Sequence, residues 1–275
     1  MPKPEYICIG HITQDLSPSG PGLGGTVVYS SLTARILGKQ SAIVTSCAPD
    51  LDCSAIPKDI SIIKKTSSKT TAFENQYSSS GRRQLIQSVA DPITLEAIPG
   101  EWLSSPILHL GPVANEVDPD IIFHQKATIV GLTPQGWHRG WDSNGNVSFV
   151  SWPQAKDILP MASAVIVSQE DISDEETWRL YKKYCQIMVV TNGSEGCLVR
   201  YKNKERHFSA PEYKEVDPTG VGDIFAAAFF IKLFETDGDP LEAALFATRI
   251  AAPTVTRYGL EGIPTHNDVE SLFNK

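Results

Sequence analysis

Short apolar runs alternate with polar helical segments through the middle of this 275-residue chain, and this alternation restricts its fold more than any other feature. The clearest runs are ILHLG (107–111), ATIVGL (127–132), AVIVS (164–168) and IMVVTNG (187–193). Continuous apolar runs of this length are typical of strands buried on both faces. Strands that alternate with helices form a mostly parallel sheet covered by helices, so we expect an α/β fold.

Segments on either side extend this pattern. The predicted strands are YICIGH (6–11) and SAIVTSC (41–47), and an antiparallel pair at the sheet edge is predicted around 197–210. The predicted helices are 26–38, which ends at Gly38, 174–185, 221–236, 240–257 and 267–274. No linker is long enough to separate two domains, so we expect one domain spanning residues 1–275.

Two glycine- and serine-rich segments interrupt the alternation. TTAFENQY and RRQLIQSV flank SSSG (78–81), which predicts a β-hairpin over about 70–89 that projects from the main body. LSPSGPGLGG (16–25) is interpreted as an irregular corner. The hairpin is therefore the candidate for a small satellite element, or lid.

Charge and cysteine content narrow the function classes. The chain has 24 basic and 32 acidic residues, a net charge of −8, and no dense Lys/Arg block, which argues against nucleic-acid or anionic-membrane partners. Its five cysteines form no CxxC pair, so neither a disulfide framework nor a zinc site is expected. Neither a secretory segment nor a long apolar run is evident, and a cytoplasmic location is expected.

One stretch, EVDPTGVGDIFAAAFF (215–230), contains the candidate catalytic residues. A helix start presents unpaired N–H groups, and glycines let a backbone approach a ligand closely. Gly220, Val221 and Gly222 are thus candidates to bind an anion, and Asp223 is placed to accept a proton. The alternative is an ordinary Asp-Pro turn before a helix. Neither a Walker A loop nor a GxGxxG after the first strand occurs, which weakens a dinucleotide-binding interpretation.

DPTGVGD followed by IFAAAFF resembles the second signature of the PfkB, or ribokinase-like, carbohydrate kinases, with Val221 where alanine is usual. Other family segments occur in the same order, and together they span roughly residues 5–274. They are GHITQDL (10–16), LGGTVVYSSLTARILG (23–38), VVTNGSEGC (189–197) and TVTRYG (254–259).

The resemblance implies a ribokinase-like three-layer α/β/α domain with a mostly parallel central sheet and a reduced β lid. It implies transfer of the ATP γ-phosphate to a sugar or polyol hydroxyl, with Mg²⁺ on the nucleotide phosphates. It assigns Asp223 as general base and the amides of 220–222 as the phosphoryl-binding group. It assigns substrate binding to Asp15, Gly24 and Gly25, and nucleotide binding to Thr191, Gly193, Gly196 and Thr219.

Metal sites are implied less directly. Many relatives carry N-x-x-E after a middle strand, whereas this chain has VSQEDI (167–172) with Ser168 in place of asparagine. Asp171 or Glu170 is then the candidate for a hydrated Mg²⁺, or both simply begin the next helix. Asp217, with Thr219, matches positions that hold K⁺ in some relatives.

The segment GLTPQGWHRGWDSNGNV (131–147) bears on the acceptor. It resembles a D-x-Q-x-x-x-R-x-x-D-x-x-G stretch of a compact subgroup that includes plant-type myo-inositol kinases, with Thr133 replacing the first aspartate. Arg139 is interpreted as a ligand of a phosphate or substrate oxygen, or as a brace of its loop. A myo-inositol-like acceptor is therefore favoured.

Several alternatives remain open at this point. In the first alternative the protein is a kinase whose acceptor is ribose, fructose or a nucleoside. In the second it is a non-catalytic sugar-binding regulator. A Rossmann-type dehydrogenase is a distant third. Only eight residues separate Asp15 from Gly24, which predicts a small lid. We therefore expect a monomer, or a homodimer formed away from the lid.

Overall fold

Nine strands of the residues that the computed structural model describes, 3–17, 20–78, 81–172 and 174–272, form one central sheet. Seven neighbouring strands are parallel, and the two at one edge are antiparallel. In order across the sheet they are β15 (Lys204–Phe208), β14 (Cys197–Tyr201), β13 (Ile187–Thr191), β12 (Ala164–Ser168), β9 (Ile129–Leu132), β8 (Ile107–Leu110), β1 (Tyr6–Ile9), β4 (Ser41–Cys47) and β5 (Ser61–Thr66).

Helices cover both faces of this sheet. Because side chains alternate along a strand, Tyr6 and Cys8 of β1 join one buried cluster while Ile7 and Ile9 join the other. The first cluster includes α1 (Thr26–Ile36), α4 (Val221–Glu235) and α5 (Pro240–Ala251), with α6 (His266–Glu270) at its margin; the second includes α2 (Ala155–Ile158) and α3 (Glu175–Tyr184). The predicted three-layer α/β/α architecture is confirmed.

Helix α4 is apolar on all sides, which is typical of a helix buried between layers. Residues 224–231 are all buried, and the helix packs on α1, α5 and the sheet. The ring of Phe230 lies directly on Gly131 of β9, where a Cβ would overlap it. This packing fixes the position of the first turn of α4, which carries Asp223.

The predicted strands and the antiparallel edge pair are present. Strand β5 was not predicted, because its sequence SIIKKT is short and half lysine and threonine, and it lies at an exposed edge of the sheet. Cys8 and Cys197 are buried in the core as expected, and all five cysteines are free thiols.

The lid is larger than predicted. Residues 16–25 do not form an irregular corner: β2 (Thr13–Ser17) and β3 (Gly20–Gly24) pair antiparallel, and β2 also pairs parallel to β6 (Thr71–Ser78). Strand β7 (Gly81–Ser88) completes a four-stranded sheet within the described ranges. The predicted turn residues 79 and 80 lie outside those ranges. The expectation of a monomer rested on a reduced lid and loses that support.

A buried histidine joins the lid to the main sheet. His11 follows β1; its Nδ1 lies 2.7 Å from Thr71 Oγ1 and its Nε2 lies 3.0 Å from the carbonyl oxygen of Asp91. A carbonyl only accepts, so Nε2 carries the proton and Thr71 donates to Nδ1. Both roots of the β6–β7 hairpin are thereby held against the end of β1.

A smaller hairpin extends the lid edge. Strands β10 (Arg139–Trp141) and β11 (Val147–Phe149) pair antiparallel, and Asn146 between them bridges to Leu85 of β7. Trp137, just before this hairpin, is buried and stacks on Trp152, whereas Trp141 is exposed. Within the described ranges, none of the helices has both the length and the apolar character needed to cross a membrane.

Candidate active site

A cavity of about 720 Å³ lies at the carboxyl ends of the parallel strands, beneath the lid. Ligands of open α/β sheets bind at this edge, because the loops that follow successive strands converge there. The loops after β8, β9, β12 and β13 all reach the cavity, contributing Val113, Gln135, Ser168, Glu170, Thr191 and Gly193. The starts of α1 and α4 complete its wall.

Asp15 lies on β2 of the lid and lines one end of the cavity. A Cβ on Gly24 would overlap Oδ2 of Asp15, so glycine is required there to leave room for the carboxylate. Gly24 acts from behind Asp15, while Gly25 itself lines the cavity. This end of the cavity suits a ligand with hydroxyl groups, because a carboxylate accepts their hydrogen bonds.

Two lid amides lie at the same end. Asn75 and Gln84 face each other across β6 and β7, line the cavity, and the Gln84 Nε2 donates to Asn75 Oδ1 at 3.1 Å. The sequence analysis missed both residues. The alternating pattern of the hairpin was visible, but which of its two faces meets a ligand depends on how the lid folds over the cavity.

Arg139 projects into the cavity from β10. Its Nη1 donates to the carbonyl oxygen of Val113 at 2.8 Å, and its guanidinium lies 5.3 Å above the ring of Phe73. These contacts brace the side chain, and the guanidinium still lines the cavity. The two predicted roles, ligand contact and brace, are therefore compatible in one residue.

Asp223 occupies the first turn of α4 and lines the cavity between the two ends. Burial raises the pKa of its carboxyl group from 3.8 to about 6. A hydrogen bond with Thr26 and the charge of Arg139 lower that pKa, while Asp15 and Asp171 raise it further. A carboxylate with this pKa is ionised at neutral pH and accepts a proton more readily than an ordinary aspartate.

The glycine corner before Asp223 has the geometry of an anion site. Gly220 caps α4 with φ 78°, a left-handed conformation that a side chain disfavours, and a Cβ there would overlap the ring of Tyr29. The Val221 N–H donates to the Pro218 carbonyl at 3.3 Å. Among the described residues, the N–H groups of Gly220 and Gly222 find no protein acceptor. The helix start therefore offers donors and a positive dipole end to an anion.

Asp217 lies behind this corner and does not line the cavity. Its Oδ1 accepts the Thr219 N–H at 2.9 Å, and its Oδ2 accepts the Gly259 N–H at 2.8 Å. These hydrogen bonds lower its pKa against the effect of burial. Each oxygen thus accepts one main-chain N–H, an arrangement that braces the corner, and the potassium site at Asp217 stays a prediction.

The opposite end of the cavity is less polar. Thr191, Gly193 and Gly196 line it from β13 and the turn that follows, and Thr219 lines it beside the glycine corner. Ala251, Ala252 and Val255, from the end of α5 and the turn after it, face them. A glycine-rich edge opposite a small apolar wall leaves space for a flat ring system such as a nucleobase.

The two candidates for magnesium differ in position. Glu170 lines the cavity, whereas Asp171 does not. Asp171 accepts the Gln135 Nε2–H at 2.9 Å through Oδ1 and the Ser168 N–H at 3.2 Å through Oδ2. No cluster of three or more His, Cys, Asp or Glu side chains suited to a metal occurs in the described ranges. A single free carboxylate such as Glu170 fits a hydrated Mg²⁺ that is held mainly by phosphates and water.

Three further wall residues that contact other residues of the site were also not singled out from the sequence: Thr26, Tyr29 and Phe73. Thr26 and Tyr29 belong to the segment that resembles the first family signature, but an apolar helix gives no sign of which side chains face a ligand. A fourth missed residue, Glu116, is buried behind the wall and accepts the N–H groups of His11, Val113 and Ala114.

Comparison with known proteins agrees with this geometry. Residues 144–266, which include the glycine corner and Asp223, match the model of the pfkB family carbohydrate kinases. The chain is 41% identical to the ribokinase of Bacillus subtilis over 91 residues, which cover 32% of this chain and 30% of that protein. It is 26% identical to the inositol 3-kinase of Zea mays over 263 residues (88% and 68%) and 25% identical to the cytidine kinase of Thermococcus kodakarensis over 257 residues (86% and 91%).

Coverage of the relatives varies. The chain spans 30% of the Bacillus ribokinase and 47% and 41% of two plant fructokinases, less than half of each. With solved structures the similarity covers nearly the whole chain. A pyrophosphate-dependent kinase in the ribokinase family, complexed with a pyrophosphate analog and myo-inositol, superposes with a TM-score of 0.80 at 22% identity and covers 96% of this chain and 99% of that one. The ribokinase of Arabidopsis thaliana, complexed with ribose and ATP, gives 0.74 at 17% identity, with 99% of both chains covered.

The fold of the whole chain is thus the ribokinase fold, and the part that carries the glycine corner matches the family model in sequence. The cavity joins a hydroxyl-accepting end, a carboxylate of raised pKa and a helix start with unpaired N–H groups. On this evidence the chain is similar to the PfkB carbohydrate kinases, in sequence over residues 144–266 and in fold over nearly its whole length.

Proposed function

We propose that this protein transfers the γ-phosphate of ATP to a hydroxyl group of a neutral polyol or sugar, with a myo-inositol-like ring as the favoured acceptor. The observation that carries the proposal is the position of Asp223. Its carboxylate lies in the cavity wall between a hydroxyl-accepting end and a helix start that offers unpaired N–H groups. Phosphoryl transfer to an alcohol needs this combination of a base and an anion site.

The acceptor end supports a neutral, polyhydroxylated ligand. It presents the carboxylate of Asp15, the amides of Asn75 and Gln84, and Gln135, with Arg139 as a donor held against Val113 and Phe73. Donors and acceptors are mixed, as the hydroxyl groups of a ring require. The match of Gln135 and Arg139 to the inositol-kinase segment favours a myo-inositol-like ring. Ribose, fructose and nucleosides remain the alternative acceptors.

In the proposed reaction Asp223 accepts the proton of the attacking hydroxyl. The N–H groups of Gly220 and Gly222 hold the equatorial phosphoryl oxygens, and that of Val221 does so once it leaves Pro218. The phosphoryl donor binds between two walls of the cavity. One wall is formed by Thr191, Gly193, Gly196 and Thr219, and the opposite wall by Ala251, Ala252 and Val255. Glu170 would hold hydrated Mg²⁺, which supplies charge neutralisation of the phosphates when bound.

The primary experiment measures ATP consumption over a panel of polyols, pentoses, hexoses and nucleosides, with pyrophosphate as a second donor. We expect turnover with myo-inositol or a close stereoisomer. Asp223→Asn should then reduce kcat by about 10²- to 10⁴-fold, the usual contribution of general-base catalysis, with little change in ATP affinity. Asp239→Asn is the matched control. Asp239 caps α5 away from the cavity, so this substitution should leave turnover unchanged.

The pH dependence of the rate gives a second readout. With a pKa near 6, Asp223 is protonated at lower pH, so kcat/KM for the acceptor should rise with pH and level off above pH 7. Near-normal turnover of Asp223→Asn would reject the proposal. Tight binding of a sugar without phosphate transfer by the wild-type protein would instead support a non-catalytic sugar-binding regulator.

A further inference from the structure

Among the described residues, none provides a hydrogen-bond partner for the hydroxyl group of Tyr29. The residue lies one turn into α1, its exposed fraction is only 2%, and it lines the cavity. Its backbone carbonyl accepts from Thr33, but within the described ranges its hydroxyl makes no hydrogen bond. Among the described residues this oxygen is not one of the fully buried side-chain atoms that lack a partner, so it opens into the cavity. An unpartnered hydroxyl in the wall of a ligand cavity therefore points to a bound ligand.

The ring of Tyr29 places this hydroxyl beside the glycine corner. A Cβ on Gly220 would overlap ring atoms Cγ, Cδ1 and Cε1 of Tyr29, and Cε1 is bonded to the carbon that carries the hydroxyl. Gly220 is the N-cap of α4, the helix start with unpaired N–H groups. The phenol thus lies at the junction between the anion site and the acceptor end.

The surroundings fix the hydroxyl as a donor. Burial and the nearby carboxylates of Asp15, Asp223 and Asp217 raise the pKa of Tyr29, so its phenol stays neutral at any working pH. A neutral phenol keeps its proton and donates it in a hydrogen bond to an anionic acceptor within reach. The most electron-rich group that the proposed reaction brings to this point is the transferring phosphoryl group.

We propose that the Tyr29 hydroxyl donates a hydrogen bond to an oxygen of the phosphoryl group during transfer, as a side-chain addition to the backbone N–H groups of the glycine corner. This inference rests on the proposed function and adds a catalytic residue to it. A donor that meets charge as it develops in the transition state lowers the barrier more than it tightens substrate binding.

The test compares Tyr29→Phe with Tyr6→Phe. Tyr6 is a buried tyrosine outside the cavity wall whose hydroxyl lies 2.8 Å from His109 Nδ1. We expect Tyr29→Phe to lower kcat by about 10- to 100-fold, a modest loss for one such donor, with KM for acceptor and donor within about 3-fold of wild type. Its melting temperature should be unchanged or higher, because no protein hydrogen bond is lost. Tyr6→Phe should do the reverse, keeping kcat and lowering the melting temperature.

Every other result contradicts either the role of Tyr29 or the proposed function. Wild-type kcat in Tyr29→Phe, or a raised acceptor KM with kcat unchanged, overturns the inference. So does a fall in melting temperature as large as that of Tyr6→Phe, since the hydroxyl would then be structural. Absence of phosphoryl transfer by the wild-type protein with every donor and acceptor rejects the proposed function, and this inference with it. Turnover by wild type and Tyr29→Phe alike rejects only the role of Tyr29.

Discussion

At the scale of single residues, the site contains a carboxyl group, that of Asp223, whose ionised form is destabilised by burial. Asp223 lies in the cavity wall with Asp15 and Asp171 near enough to raise its pKa, against the opposing effects of Thr26 and Arg139. An acid whose folded pKa is raised is destabilising once it ionises, because the unfolded chain ionises more easily. The same environment that raises the proton affinity of Asp223, the proposed base, therefore reduces the stability of the fold.

Replacing Asp223 by asparagine should therefore stabilise the protein. A shift from 3.8 to about 6 corresponds to at most about 3 kcal/mol. Well below pH 3.8 both states are protonated and the gain should vanish; it should grow between about pH 4 and 6 and level off above about pH 7. Urea unfolding of wild type and Asp223→Asn at pH 4, 5, 6 and 7.5 measures it. A stability difference that does not change across this range would show that the carboxyl group is not perturbed.

At the scale of elements, two helix starts and two strand ends meet at one place. The first turns of α1 and α4 contact each other through Tyr29 and Gly220, and the ends of β1 and β8 are joined through Glu116. The first junction depends on Gly220, where a side chain would overlap Tyr29, and the second depends on the carboxylate of Glu116. These junctions set the spacing between the acceptor end and the anion site.

Gly220→Ala tests the first junction. The added methyl group would overlap the Tyr29 ring and sit at φ 78°, so we expect a loss of about 1–3 kcal/mol in unfolding free energy. Gly222→Ala is the control: a Cβ there meets nothing within 4 Å, and alanine favours the helix by about 1 kcal/mol. Chemical denaturation of both variants should therefore give changes of opposite sign. Equal stabilities would contradict the close packing of α1 on the corner.

Glu116→Gln tests the second junction. The buried carboxylate of Glu116 accepts the N–H groups of His11, Val113 and Ala114 at 2.7–3.1 Å, and the Val113 carbonyl in turn holds Arg139. An amide replaces one acceptor oxygen by a donor, so we expect a loss of about 2–3 kcal/mol. We also expect a raised KM for the acceptor with little change in the KM for ATP.

The control for Glu116→Gln lies on the same segment. Within the described ranges the carboxylate of Asp118 accepts only the Asp120 N–H, at 3.0 Å, and makes no hydrogen bond to Val113. Asp118→Asn should leave both KM values unchanged and stability nearly so. A rise in both KM values of Glu116→Gln to the same degree would contradict a role limited to the acceptor end.

At the scale of the whole molecule, the cavity is built by parts far apart in sequence. The lid, the strand-end loops and the C-terminal helices each contribute one wall. His11 ties the lid to the central sheet through Thr71 and Asp91, so ligand contacts on the lid also stabilise the body. A ligand that binds only the folded protein raises its apparent stability by mass action.

Donor preference should appear in thermal unfolding. The wall of Ala251, Ala252 and Val255 offers apolar contact to a nucleobase, which pyrophosphate lacks. We expect ATP with Mg²⁺ to raise the melting temperature more than pyrophosphate with Mg²⁺ at equal concentration. Introducing a bulkier side chain with Ala252→Leu should reduce the ATP effect and leave the pyrophosphate effect unchanged. A larger rise in melting temperature with pyrophosphate would instead indicate a phosphoryl donor that has no nucleobase.

The sequence by itself determined that the sheet is mostly parallel and that a glycine-rich helix start carries Asp223, the proposed base. Buried parallel strands need continuous apolar runs, and a helix start with glycines before an aspartate has a local signature, so both were predicted without coordinates. The family resemblance of DPTGVGD suggested the reaction, and residues 144–266, which contain this segment, match the pfkB family model.

The tertiary structure alone decided the lid, the partners of Asp223 and the place of Tyr29. Strand β3 is rich in glycine and proline and pairs with β2, which in turn pairs with β6 from Thr13 to Thr71, so the local sequence predicts a corner. Raised pKa values and unpartnered hydroxyls arise from what surrounds a side chain after folding. Periodicity along a chain records which residues are buried, but not which distant residues they meet.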